Sequence, residues 1–163
     1  MKERPGVQIQ GIDINVPPDS LIPAREFDGR RIPFDDNSFD AALLIDVLHH
    51  ADDPCSLLRE CGRVSRGCVI VKDQVYNRWP EKLILSALDW MGNVPYGVPL
   101  KYHFVDRAGW DQRISSAGLE RLRDDIYFGS CRLPFPPLTR WNVNVILTLA
   151  EKTTVKSSYV RPR

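Results

Sequence analysis

Three aspartates stand where strand candidates end: Asp13 in GIDIN, Asp28 in FDG and Asp46 in LLIDVLHH. Each follows residues that favour a β-strand, so each carboxylate is expected at the carboxyl tip of a strand. In open parallel sheets that is where ligands bind. A carboxylate at such a tip accepts two hydrogen bonds from the vicinal hydroxyls of a ribose, so Asp13 suggests a nucleoside-like ligand. Asp is also common in turns, and one such residue alone reads as structural. Three in succession are harder to dismiss.

His49 and His50 follow the third tip and are the nearest candidates for a catalytic base. Their plainer reading is a pair at a helix start with one ring packed and one solvated. Further along, Tyr96, Tyr102 and His103 lie in a Gly/Pro-containing stretch and are candidates for a substrate pocket. Trp90 and Trp110 read as core residues, because Trp90 and Met91 continue a helical apolar stripe. The cysteines Cys55, Cys61, Cys68 and Cys131 form no C-x-x-C pair. They read as small buried hydrophobes in a reducing compartment. A site made of His49, His50 and Cys55 lacks an obvious fourth ligand, so no metal is expected.

A net charge of +1 over 163 residues gives no broad basic field. Neither nucleic acid nor an anionic membrane is therefore an expected partner. No apolar run is long enough to span a bilayer, no signal-like stretch follows MKERPGVQIQ, and the expected location is the cytoplasm.

The elements that must position these residues follow from periodicity. Val7 to Ile14 alternates and is rich in β-branched residues, which predicts a strand. Ala24 to Phe27 predicts a second, and Asp35-Asp36-Asn37-Ser38 a turn. The continuous run Ala41 to Ile45 suits a strand covered on both faces. Asp53-Pro54 opens a helix carrying Leu57, Leu58 and Cys61, followed by a strand over Cys68 to Val71. Pro80 starts a second helix with Leu83, Ile84, Ala87, Leu88 and Met91 on one face, capped at Gly92-Asn93. Asp106 caps a third that stops at Gly118. Leu119 to Phe128 reads as a strand. Asn142 to Ala150 reads as an antiparallel strand with one exposed face. The tail from Glu151 to Arg163 is polar and is expected to be disordered. This order predicts an α/β class: a Rossmann-like open mixed sheet flanked by helices, filling one domain over residues 1–150.

The stretch FDGRRIPFDDNSFDAALLIDVLHHADDPCSLLRECGRVSRGCVIVKD, Phe27 to Asp73, closely resembles the middle of class I S-adenosylmethionine-dependent methyltransferases of the small-molecule, type 11-like kind. The acidic-Gly pair, the Ile-Pro-Phe segment, Ser-Phe-Asp, and the "LHH…DP…LLRE…RV" helix occur in order. The resemblance implies methyl transfer from S-adenosylmethionine to a small-molecule acceptor. It implies that Asp13 binds the cofactor ribose, and that Asp28 contacts the adenine amino group beside the Gly29 backbone. Asp46 would lie by the methionine end, with Val47, Leu48 and His49 walling the same pocket. A nicotinamide-dinucleotide domain shares the ribose logic but leaves SFD…LHH unexplained.

The family begins with a strand and a Gly-rich loop of the G-x-G-x-G kind, and no such loop occurs here. The chain thus reads as an N-terminally truncated form missing the first strand. Removing that central strand opens a gap on the order of 9–10 Å between its neighbours, exposing unpaired edges. Three outcomes are open: the neighbours close up, a dimer or partner strand fills the gap, or the sequence is a fragment. The expectation is impaired cofactor binding by this chain alone. The alternative is a non-catalytic module of the same fold that pairs with a partner subunit.

Overall fold

Capping chemistry places the first helix where the sequence puts it. In the computed structural model, which describes residues 6–123, 125–129 and 143–151, Asp53 Oδ1 accepts the Ser56 N–H at 3.0 Å. Pro54 opens helix α1, Pro54–Val64. Before it come three strands: β1 (Gly11–Asp13), β2 (Ala24–Glu26) and β3 (Phe39–Ile45). After it come β4 (Ser65–Val75), α2 (Trp79–Asn93), a short 3-10 turn (Val94–Tyr96), α3 (Arg107–Ser116), β5 (Leu119–Arg121), β6 (Ile126–Gly129) and β7 (Val143–Glu151). The α/β class and the mixed open sheet are as predicted.

The strands form two separate sheets. β1 and β2 pair in parallel; β3 and β4 pair in parallel; β7 runs antiparallel between β4 on one side and β5 and β6 on the other. Among the described residues β1 pairs only with β2 and β3 only with β4. The neighbours of the missing strand position therefore have not closed up.

One face of the larger sheet is the core. Leu44, Val69, Val71, Leu147 and Leu149 pack against Leu57, Leu58 and Cys61 of α1 and Trp110 and Ile114 of α3. Burying side chains of this size stabilises each by about 1.5–3 kcal/mol. Trp110 is thus core, as expected.

Several expectations need correction. The first strand is three residues long, and Val7 and Ile9 are exposed, because among the described residues no strand pairs the segment before Gly11. β3 is not covered on both faces: Leu43 and Ile45 are exposed while Leu44 is buried. Leu119 to Phe128 breaks into β5 and β6. The last strand is antiparallel as expected but does not leave one face exposed: Asn144 and Ala150 are buried like Val145, Leu147 and Leu149, and β7 pairs on both sides. Helix α2 runs through Gly92 and Asn93 and is followed by the 3-10 turn; the left-handed residue is Gly97, φ 68°. Its buried residues are Leu85 and Asp89, so the apolar stripe with Leu83, Trp90 and Met91 faces solvent. Asp106 and Gly118 bound α3 as read from the sequence: Asp106 Oδ1 accepts the Gly109 N–H at 2.8 Å, and Gly118 has φ 76°. The predicted tail over 152–163, Cys131 and the Pro-rich loop fall outside the described residues. Among the described residues no helix is long and apolar enough to cross a membrane.

Candidate cofactor and acceptor site

The three aspartates each sit at the end of a strand. Asp13 is the last residue of β1, Asp28 lies two residues past β2, and Asp46 directly follows β3. Because β1 and β2 are parallel, with Asp13 opposite Glu26, Asp13 and Asp28 share one end of that pair. Asp13 Oδ1 accepts the Asn15 N–H at 3.1 Å. Asp28 Oδ1 accepts the N–H groups of Arg30 (2.8 Å) and Arg31 (2.9 Å). The Arg31 bond and then the Arg30 bond hold the Asp28 carboxyl below its ordinary range. Gly29 beside it has φ 74°, a conformation that favours glycine, and a Cβ there would meet Ile14 Cγ2 at 3.3 Å.

Asp46 adopts φ 53°, uncommon outside glycine, and so marks a constrained position. Lys72 of β4 holds it: Nζ lies 2.5 Å from Oδ1 and also bonds Oδ2. The pairing of β3 with β4 sets this contact, since Ile45 is registered opposite Lys72.

The chain then turns tightly, with His50 N–H donating to Val47 O at 3.0 Å and Ala51 N–H to Leu48 O at 3.3 Å. His49 and His50 are thus in a turn before α1, not at its start. The turn packs the His49 ring inward, 3% exposed, and leaves the His50 side chain 18% exposed. The expectation of one packed ring holds for His49, whereas His50 is partly buried rather than solvated. Leu48 is fully buried, so its side chain walls no cleft; its N–H donates to Asp73 Oδ2 at 3.0 Å. Val47 is exposed.

Around the two rings lies a cluster that sequence reading did not find. His49 Nδ1 is 2.6 Å from Asp73 Oδ1, and Asp73 also accepts the Gln74 N–H at 2.7 Å. His49 Nε2 lies 3.6 Å, and His50 Nε2 3.4 Å, from Asp89 Oδ1 of α2. Asn93 Nδ2 donates to the same oxygen at 2.7 Å. Phe104 stacks on His49, with ring centroids 4.7 Å apart. Burial pushes the His49 pKa down, but the Asp73 hydrogen bond and the charges of Asp73, Asp89 and Asp46 outweigh it, and the net shift is upward. For His50, burial and the charge of His49 prevail and the pKa is lowered. A cleft of about 400 Å³ is lined by Asp46, His49, His50, Gln74, Leu88, Asp89 and Asn93.

Tyr102 and His103 do not line this cleft. His103 Nδ1 bonds Ala51 O at 3.0 Å and its N–H donates to His49 O at 3.1 Å, which ties its segment under the turn. Tyr102 is half-buried with φ 55°. The Tyr96 side chain lies outside the described part. Trp90, read as core, is 55% exposed, because Asp89 rather than its neighbour turns inward. The alternation of β4 offered the one available signal for Asp73: it falls in phase with the buried Val69 and Val71. Asp89 carried no such signal, since it interrupts an apolar helix.

Residues 6–70 match the family Methyltransf_11, described as a methyltransferase domain. No curated protein matches the sequence. Among solved structures, 199 chains match. One is from the complex between the Haloferax volcanii Trm112 methyltransferase activator and a protein named as a methyltransferase. It is 14% identical with TM-score 0.63, over 88% of this chain and 72% of that one. Another is an S-adenosylmethionine-dependent methyltransferase from Mesorhizobium loti, 14% identical with TM-score 0.59, over 87% and 79%. The structure of the [4+2]-cyclase SpnF is 19% identical with TM-score 0.59, over 89% and 66%. Residues 6–70 therefore match a methyltransferase domain in sequence, and the chain shares the class I methyltransferase fold of these structures.

Proposed function

We propose that the chain supplies the nucleoside-binding and acceptor-facing parts of a cytoplasmic methyl-transfer site that uses S-adenosylmethionine and takes a small-molecule acceptor. The observation that carries this reading is the succession of Asp13, Asp28 and Asp46 at or within two residues of the ends of three strands that lie in parallel pairs. In an open sheet that position is the ligand crevice.

The residues fit the nucleoside end of the cofactor. Asp13 and Asp28 are exposed at adjoining strand ends, and Gly29 gives a backbone bend without a side chain. Asp13 would take the ribose hydroxyls, and Asp28 the adenine amino group. The methionine end is less well served. Lys72 engages Asp46, and among the described residues β1 pairs only with β2 and β3 only with β4, so no further strand pairs with either. Bound there, the cofactor would supply a methyl group already activated by its sulfonium. The protein's part is to align the acceptor and exclude water. His49 and His50 face the cleft next to Asp46 and form its acceptor end.

Isothermal titration of the 163-residue chain with S-adenosylmethionine tests this. Weak binding is expected, with Kd above about 100 µM, and Asp13→Ala should abolish what binding there is. A low-micromolar Kd would overturn the weak-binding expectation. Binding unchanged in Asp13→Ala would overturn the cradle itself.

A second reading is favoured by a separate observation. Among the described residues one edge of β3 is unpaired, and Leu43 and Ile45 of the strand and Val47 just after it are exposed. An unpaired edge with apolar neighbours is a template for another chain. A non-catalytic module of this fold would bind a partner or a second copy there. Size exclusion with light scattering separates the cases: a clean monomer with no co-purifying partner counts against the module.

A further inference from the structure

The cluster at the acceptor end has an excess of acceptors. His49 Nδ1 faces the Asp73 carboxylate and His50 Nδ1 faces the Pro99 carbonyl at 3.0 Å. Neither partner can donate, so Nδ1 carries the hydrogen in both rings. In the neutral rings both Nε2 atoms then present lone pairs, and they converge on Asp89, whose side chain is 3% exposed. Among the described residues Asp89 Oδ2 is buried with no hydrogen-bond partner. Two ring lone pairs and a buried carboxylate facing one another repel unless a positive charge lies between them.

From this convergence we infer that His49, His50 and Asp89 form a binding site for a divalent transition-metal ion of the zinc class, with one coordination position open to the cleft. One ligand atom from each residue lies within 4.8 Å of the others. The two Nε2–Oδ1 separations, 3.4 and 3.6 Å, are near the edge of a tetrahedron of donors, about 3.3 Å at Zn–N and Zn–O lengths of about 2.0 Å. Two imidazoles and one carboxylate suit zinc better than magnesium or calcium, which prefer all-oxygen sets.

The surroundings are those of a built site. Metal-bound imidazoles characteristically give their other N–H to a carboxylate or a backbone carbonyl, and here they give it to Asp73 and Pro99. The ligating carboxylate is itself oriented, by Asn93 Nδ2 at 2.7 Å. Phe104 stacks on the His49 ring and limits its rotation. Three ligands with an open fourth position is the pattern of sites that act on a ligand rather than merely brace a fold. An acceptor hydroxyl or amine bound at that position would lose its proton more readily. That use rests on reading the cleft as the acceptor end; the binding measurement does not, so the two fail separately.

The test uses the metal-freed full chain and the metals alone. Zn²⁺ titrated calorimetrically should bind with a stoichiometry of one, and Co²⁺ should give the visible absorption of a four-coordinate nitrogen and oxygen site. Asp89→Asn, which keeps the shape of the side chain, and His50→Ala should each weaken Zn²⁺ binding at least about tenfold. Asp73→Asn should weaken it by a smaller factor, through the His49 ring. Cys55→Ser should leave it unchanged, which excludes a thiol site. Circular dichroism of each metal-free variant confirms that it is folded. No saturable binding by the folded wild type would show that a proton alone fills the gap and overturn the proposal. Equal binding by wild type and Asp89→Asn would do the same.

Discussion

Replacing Arg63 by lysine should lower the melting temperature by about 4–12 °C, although the charge is kept. The guanidinium in the last turn of α1 clamps the loop before β3. Its Nη1 donates to Phe34 O at 2.9 Å, its Nη2 to Ile32 O at 2.9 Å and Glu60 Oε2 at 2.7 Å, and its Nε to Glu60 Oε1 at 2.9 Å. Glu60 Oε2 also accepts the Ile32 N–H at 3.0 Å. A lysine ammonium donates from one point and cannot span two carbonyls and a carboxylate fork. The two carbonyl bonds are worth about 1 kcal/mol each. The Glu60 pair, with side chains 20% and 18% exposed, adds at most about 1 kcal/mol. Asp36, at 69% exposure, adds little. The sum is about 2–3 kcal/mol, and in a chain of this size each kcal/mol moves the melting point by about 2–4 °C. Thermal unfolding of Arg63→Lys, Glu60→Gln and the double variant measures this. The double variant should lose less than the two singles added together. A shift under about 2 °C for Arg63→Lys, or strict additivity, would refute the clamp.

The same pair has a pH signature. The Arg63 hydrogen bond, aided by the Ile32 N–H, outweighs burial and holds the Glu60 carboxyl below its ordinary value of 4.5. A pKa depressed by folding gives stability that is present above the unfolded value and lost as pH falls through the folded one. The margin of wild type over Glu60→Gln should therefore be full at neutral pH and shrink below about pH 4.5.

Three other outcomes are expected. Asp73→Asn replaces a buried oxygen pair that accepts from Leu48, His49 and Gln74, and should cost about 2–3 kcal/mol in denaturant titration of metal-free protein; a cost under about 0.5 kcal/mol would show that these bonds are not formed. Gly67→Ala places a Cβ 2.5 Å from the Asp40 carbonyl oxygen, so β3 and β4 must separate locally; about 1–3 kcal/mol of destabilisation is expected in the same titration. Burial pushes the Cys61 thiol up to about 12, so native protein should resist alkylation at Cys61 near neutral pH, and mass spectrometry should find it labelled only after unfolding.

Much of this architecture is local and was therefore legible in the residues. Asp53-Pro54 and Asp106 cap helices through side chains three residues from the N–H groups they bind. The segments before Asp13, Asp28 and Asp46 form strands that end near each aspartate, a pattern set within a few residues by strand preference and the turn signals that follow. What stayed hidden depends on contacts distant in sequence. Lys72 meets Asp46 through strand register, 26 residues apart. Asp73 and Asp89 close on the histidines across 24 and more residues, and their reason for being buried lies in the partner rather than in their own segment. The exposure of Leu83, Trp90 and Met91 on α2 follows from the same cause: Asp89 and Leu85 share the buried face, which leaves these three apolar side chains outside. Periodicity in one segment reports which residues share a face; only the packed chain decides which face is buried, because that depends on what lies opposite.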